Sequence, residues 1–174
     1  LPGFFGVLHT WGRQLQYHPH IHYVVPGGAI ATADGTWQRS GDQFFLPVMA
    51  LSTIFRAKVR DRFQKVGLLD VVPAEVWTQP WNVNSQAVGD STASIKYLAP
   101  YVFRVAISDH RIVKVEQGTV FFRYRHSKSN RERTMALDAL EFICRFLQHV
   151  LPSGFMKVRY YGFLSPNAAV SLEE

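Results

Sequence analysis

Three imidazoles recur at every second position in His18-Pro19-His20-Ile21-His22. Side chains on a β-strand alternate between faces, so these three project from one side, while Ile21, Tyr23 and Val25 project from the other. The apolar side is expected to enter the core. Imidazole is a borderline ligand that suits Zn, Mn, Fe, Co or Ni and shares a metal with water or phosphate oxygens. The spacing therefore predicts a divalent-metal site rather than a merely polar strand face. His20 and His22, one strand step apart, are the leading pair. His9, on the preceding strand, and His18, further along the same strand, are equal candidates to complete it, with Gln14 and Gln16 behind them.

A second group with chemical potential is Lys96-Tyr97-Leu98-Ala99-Pro100-Tyr101, in which two phenols stand four residues apart. On a helix that spacing puts Tyr97 and Tyr101 on one face. A phenol is a poor nucleophile at its ordinary pKa of about 10, but a nearby cation and a metal-bound phosphate make it competent. The alternative is a pair of amphipathic core residues with surface hydroxyls. A third group is basic: Arg123, Arg125, Lys128, Arg131 and Arg133, opposed locally by Glu132. In a hairpin Arg123 and Arg125 share a face opposite Tyr124, and residues 127–133 read as a loop. Such a run either tracks the phosphates of a strand while an aromatic stacks on an unpaired base, or is a solvated loop. Lys58, Arg62 and Lys65 on the first long helix form a weaker group of the same kind.

The elements that must position these groups are legible in outline. Residues 4–11 and 18–25 read as two antiparallel strands, the second stopped by Pro26-Gly27-Gly28, and a short hairpin is expected around Asp34-Gly35. Leu51, Phe55, Val59, Phe63 and Val66 recur at helical spacing and predict a helix over 47–66. Residues 77–83 read as a strand broken by Pro80, and Ser91 or Thr92 as the cap of a short helix carrying Ile95, Tyr97, Leu98 and Tyr101. Residues 111–116 and 119–125 predict a hairpin about Gln117-Gly118. Asp138 with Glu141 resembles a capping box opening a helix whose inner face holds Leu140, Ile143, Phe146, Leu147 and Val150. A last strand is expected over 156–164. Hairpins mixed with helices predict an α+β fold with a central, mostly antiparallel sheet flanked by helices.

Composition agrees with a folded, polyanion-binding domain. The 174 residues are 47% hydrophobic and 18% charged, enough apolar material for a sizeable core. Lys and Arg number 19 against 13 Asp and Glu, a formal charge of +6 that suits a nucleic-acid partner. The single cysteine, Cys144, excludes an internal disulfide framework and a cysteine-rich zinc module within these residues. No apolar run approaches the ~20 residues that cross a bilayer, so no membrane partner and a cytoplasmic location are expected. The chain opens at Leu1 without a Met and reads as a fragment of something longer, folded as one domain over residues 1–174.

Several of these segments, in order, resemble one family. His20-Ile21-His22 is similar to the His-hydrophobic-His motif of HUH endonucleases, and Tyr97 with Tyr101 to the paired tyrosines of their two-tyrosine branch. The run from His18 to Gly28, Trp81-Asn82-Val83-Asn84-Ser85-Gln86 and the segment from Lys96 through Phe103 resemble rolling-circle insertion-sequence transposases. So do Phe146-Leu147-Gln148-His149-Val150-Leu151-Pro152 and the stretch from Met156 to Phe163. The resemblance implies an HUH endonuclease-like fold and metal-dependent nicking of single-stranded DNA at transposon ends or target, followed by strand transfer through a 5′-phosphotyrosine. A divalent ion, Mg or Mn, would sit on the histidines, Tyr97 and Tyr101 would be the catalytic nucleophiles, and Lys96 would join the basic residues on DNA. It further implies a bacterial enzyme, associated with the nucleoid when acting.

Two departures bear on that reading. Pro100 stands between the tyrosines where the family usually has a basic residue. Proline inside a helix costs about 3 kcal/mol, so the helix bends or begins there. Tyr97, before the proline, is then expected to make the first covalent bond and Tyr101 the second transfer. The family's N-terminal cysteine-rich zinc-binding region has no counterpart in these residues. The rival readings are a metal-dependent phosphodiesterase that uses water, and a non-catalytic DNA-binding module with a structural metal.

Overall fold

The computed structural model describes residues 1–41, 46–89, 92–94, 96, 99 and 106–169. The chain divides into two compact units, one formed by Leu1–Pro26 with Asp90–Glu174 and the other by Gly27–Gly89. The architecture is α+β with antiparallel pairing throughout, distributed over three small sheets among the described residues.

In the first unit β1 (Gly3–Trp11) is the central strand of a sheet ordered β2-β1-β8, flanked by β2 (Tyr17–Val24) and β8 (Val158–Gly162). Directly opposed residues share a face, and the register sets Val7 against His22, His9 against His20 and Gly6 against Tyr23. One face therefore carries Val7, His9, His20 and His22. It is the more covered one, with Val7 fully buried and His9 buried. This reverses the expectation that Ile21 and Tyr23 enter the core: they are 43% and 46% exposed. On that outer face Phe4 stacks on Tyr161 at 4.8 Å and meets Tyr23 edge-on at 5.7 Å. Gly6 is required beneath Tyr23, because a Cβ there would stand 2.5 Å from its ring.

The second sheet of this unit has the order β5-β6-β7, from β5 (Ile112–Glu116), β6 (Thr119–Arg125) and β7 (Glu132–Asp138). Gln117 and Gly118 both have positive φ, as a two-residue type I′ turn demands. Phe122, fully buried, packs with Leu15, Ala106 and Ile107, and Trp11, Met135, Leu137 and Phe142 close around them. Leu15 reaches this core from the β1–β2 loop. That loop is also fastened by backbone acceptors: Leu15 receives a bond from His149 Nε2 at 3.0 Å, and Arg13 one from Arg111 at 2.9 Å.

Helix α3 (Ala139–Leu147), which follows the two helices described below, starts at Asp138, whose carboxylate accepts from the N–H groups of Leu140 and Glu141. Glu141 bonds Arg145 at 2.7 Å, one turn on. The inward residues are Phe142, half-buried Arg145 and, just beyond the helix, buried His149. Leu140, Ile143, Phe146, Leu147 and Val150 are all exposed, so the expected inner face points outward. Phe142 meets Phe122 at 5.7 Å, and this contact with the sheet fixes the rotation of the helix.

The second unit holds the short hairpin of β3 (Gly28–Ile30) with β4 (Trp37–Arg39), helix α1 (Val48–Lys65) and helix α2 (Ala74–Thr78). The strand expected over 77–83 is absent. Residues 74–78 are helical after Pro73, and Pro80 supplies no N–H for a ladder. Trp77 and Trp81 stack at 5.8 Å and meet Phe63 and Phe55 of α1 at 5.8 Å and 5.4 Å. Buried Ser52 of α1 bonds both the carbonyl and the N–H of Trp81, tying that segment to the helix.

Of the short helix expected near Ser91, Thr92 is helical rather than a cap, and Lys96 is helical and exposed. Ser91, Ile95, Tyr97, Leu98, Pro100 and Tyr101 lie outside the described residues.

Candidate metal centre and DNA-contact residues

The β1–β2 register brings His9 face to face with His20, and His22 lies one strand step along. His9 Nδ1 stands 3.1 Å from His20 Nε2, and the three residues each offer a nitrogen within 4.8 Å of the other two. The group that could hold a metal ion is therefore His9, His20 and His22. Gln16 spends its amide oxygen on the Gln14 N–H inside the loop.

His18 contributes through its backbone. Its carbonyl accepts from His20 Nδ1 at 2.7 Å, and because a carbonyl only accepts, Nδ1 carries a proton, while Nε2 faces His9. This is the usual arrangement behind a metal-bound histidine, in which the distal ring nitrogen is held by a hydrogen bond. The ring of His18 is exposed on the strand surface.

Burial, reinforced by the charges of His20, His22, Lys157 and His149, lowers the pKa of His9 to about 3. Burial and His20 also lower that of His22. Both imidazoles are thus held neutral at ordinary pH, the form that donates to a metal. Three converging imidazoles, one of them oriented from behind by a backbone carbonyl, make a donor set that fits a divalent ion.

Three neighbours of this cluster carried no signal of their own in the sequence. The Trp11 ring lies 3.9 Å from that of His9, Lys157 Nζ stands 5.1 Å over the Trp11 ring, and His149 lies 5.8 Å from Trp11. Burial lowers the pKa of Lys157. His149 is fully engaged, donating from Nε2 to the Leu15 carbonyl and accepting at Nδ1 from the Thr10 hydroxyl. The sequence marks Trp11 only as the end of a strand, and Lys157 and His149 only as members of longer segments, because nothing local marks which side chains a distant strand will approach.

The basic residues do not form one loop. Residues 132–138 are strand β7, so Arg133 belongs to a ladder, opposite Tyr124 and on the same face as it. Arg123 and Arg125 are exposed on the opposite face, where Arg123 lies 3.8 Å from Glu132. Phe121 shares that face, with Lys114 Nζ 4.9 Å from its ring. Lys128 and Arg131 are exposed in the connection between β6 and β7, closed by bonds between His126 and both Arg131 and Asn130.

No helix among the described residues is long and apolar enough to cross a membrane. No solved structure matches the chain. Residues 3–171 match the family model Y2_Tnp, described as "Putative transposase". The chain is 38% identical to a protein of Sinorhizobium fredii named "Putative transposase y4qJ", over 93% of its own length and 46% of that protein. It is 28% identical to the transposase for insertion sequence element IS801 of Pseudomonas savastanoi pv. phaseolicola, over 94% of this chain and 43% of that protein. The chain thus spans less than half the length of the curated relatives it matches. With the match running along nearly every element described above, the chain belongs to the Y2_Tnp transposase family.

Proposed function

We propose that the chain is the catalytic domain of a longer HUH-type, two-tyrosine transposase that nicks single-stranded DNA and transfers the strand through a 5′-phosphotyrosine. The observation that carries this reading is the convergence of His9, His20 and His22 within a transposase-family chain. Tyr97 Oη attacks the scissile phosphorus, the P–O3′ bond breaks, and the 3′ oxygen leaves and takes a proton. The 5′ phosphate stays esterified to Tyr97, and a 3′ hydroxyl later reverses the exchange while Tyr101 serves the second transfer. No nucleotide cofactor is consumed, because the phosphotyrosine conserves the bond energy.

His9, His20 and His22 would hold the divalent ion, which polarises the scissile phosphate and offsets charge on its oxygens. An all-imidazole donor set favours Mn over Mg, which prefers oxygen ligands. Arg123 and Arg125, with Phe121 beside them, track the strand on the exposed face of the second sheet, and Lys96, Lys128, Arg131 and Arg133 add phosphate contacts around it.

The test is incubation of the chain with single-stranded transposon-end DNA and Mn, followed by denaturing electrophoresis. A protein–DNA adduct that survives denaturation is expected. Cleavage without an adduct indicates a water-using phosphodiesterase, and binding without cleavage indicates a non-catalytic DNA module.

A further inference from the structure

The face of the first sheet that carries the histidines continues beyond them. Val24, Phe5 and Tyr160 stand opposite one another across β2, β1 and β8, one strand step past the row of His22, Val7 and Val158. Opposed residues share a face, and so do positions two apart, which puts Tyr160 on the side of His9, His20 and His22. Its sequence neighbour Tyr161 turns the other way and stacks on Phe4. Tyr160 leans on Phe5 instead, with ring centroids 5.6 Å apart and planes 30° from parallel. It is 50% exposed, on a face where Val7 and His9 are buried.

Position, charge and chemistry favour one occupant. Two strand spacings and one strand step separate His22 from Tyr160, about 12 Å along the sheet. That is about three nucleotides at the ~3.4 Å step of a stacked strand, and fewer in a stretched one. The floor between them, Val7, Val158, Val24 and Phe5, carries no polar side chain. β1, β2 and β8 contain no Asp or Glu, so a polyanion crossing them meets no like charge on these strands. An apolar floor turns phosphates out to water and bases inward, and a half-exposed phenol ring backed by a second aromatic is a stacking partner for any base.

Resting on the function proposed above, we infer that Tyr160, backed by Phe5, stacks on one unpaired base of the DNA strand whose phosphate lies at the histidines. The contact is made through the face of the base, so it fixes the path of the strand away from the histidines without reading its sequence.

The experiment uses the whole 174-residue chain, without metal so that no strand is cut. The probes are 12-nucleotide single strands of thymidylate and of deoxyadenylate, and an abasic strand with the same phosphates, all read by fluorescence anisotropy. Tyr160→Ala is expected to weaken both base-bearing strands by roughly 5- to 100-fold, the range of one lost stack, and to leave the abasic strand within about two-fold. Tyr160→Phe restores the ring without its hydroxyl and is expected to recover the affinity. Circular dichroism and Mn titration of Tyr160→Ala are expected to match the parent. In the unaltered chain a strand bearing 5-iodouracil is expected to photo-cross-link to Tyr160, which decides the case alone should Tyr160→Ala not fold.

An equal loss for the abasic strand, a parallel fall in Mn affinity, or an affinity unchanged by Tyr160→Ala would overturn the inference. So would a loss that Tyr160→Phe shares, which assigns the contact to the hydroxyl. A cross-link on Tyr23 or Tyr161 would place the strand on the opposite face, and a loss confined to one base-bearing strand would mean that sequence is read there. The adduct assay separates this inference from the catalytic reading. An adduct with an affinity indifferent to Tyr160 defeats the stacking subsite only, whereas Tyr160-dependent binding with no adduct defeats the catalytic reading and leaves the subsite standing.

Discussion

His20 donates its Nδ1–H to the carbonyl oxygen of His18 at 2.7 Å, two residues back along the same strand. The bond orients one imidazole by way of another residue's backbone, so the alternating histidines have unlike roles. His20 Nε2 faces His9, His22 lies beside them, and the ring of His18 is exposed.

Substitution at His18 and His9 therefore separates the two. His18→Ala keeps the carbonyl and is expected to leave Mn affinity within a few-fold of the parent. His9→Ala is expected to lower it beyond the ~10–100-fold typical of losing an outer hydrogen-bond partner. Calorimetric titration with Mn measures both, and the reverse order would place His18 in the donor set.

The neutral state of His9 makes the metal-free chain acid-sensitive. Its pKa is about 3 in the folded chain against an ordinary value of 6.5, so between these values the unfolded state binds the extra proton. Stability therefore rises with pH across that window: the contribution is fully present above 6.5 and is lost progressively toward 3. Urea denaturation at pH 7.5 and 5 should show lower stability at the acid point, and His9→Gln should flatten the difference. An unchanged slope in the variant would assign the acid sensitivity to other groups.

How far the sequence reached follows from which signals are local. The Gln117-Gly118 turn, the helix over 48–65 and the Asp138 cap are set by neighbours in sequence and were all legible. Alternation revealed that the two faces of the histidine strand differ, but not which one is covered, because that depends on how a distant core packs. The same holds for α3, whose apolar stripe misled as to its inner face: Phe142 docks on Phe122, and Leu140 is left 73% exposed. Strand β7 was hidden because in residues 132–138 only Met135 and Leu137 carry the apolar period, beside three charged residues. The histidine pair was readable from spacing. Its third member required the register of a hairpin whose long loop left that register open.

The cap itself gives a plain stability test. Asp138→Ala removes the acceptor for the Leu140 and Glu141 N–H groups and is expected to cost about 0.5–2 kcal/mol in urea denaturation. A change below that range would mean that packing of Phe142 alone holds the helix start.

Placement of Arg123 and Arg125 on one exposed strand face predicts a salt signature. Each lost phosphate contact to a single strand reduces the slope of log affinity against log salt by about 0.7. The double change Arg123→Gln with Arg125→Gln should therefore flatten it by about 1.4. Fluorescence anisotropy with a single-stranded oligonucleotide across a salt series measures this. A slope equal to the parent's would remove that face from the DNA path.

The central claim is tested most directly by locating the covalent bond. Digestion of the chain after reaction with a single-stranded transposon end and Mn, followed by mass spectrometry, should recover a nucleotide esterified to the peptide bearing Tyr97. Tyr97→Phe should abolish the first adduct while Mn and DNA binding persist, and Tyr101→Phe should preserve single cleavage and impair strand transfer. An adduct on another residue, or one that survives in the Tyr97→Phe, Tyr101→Phe double variant, would contradict the tyrosine mechanism.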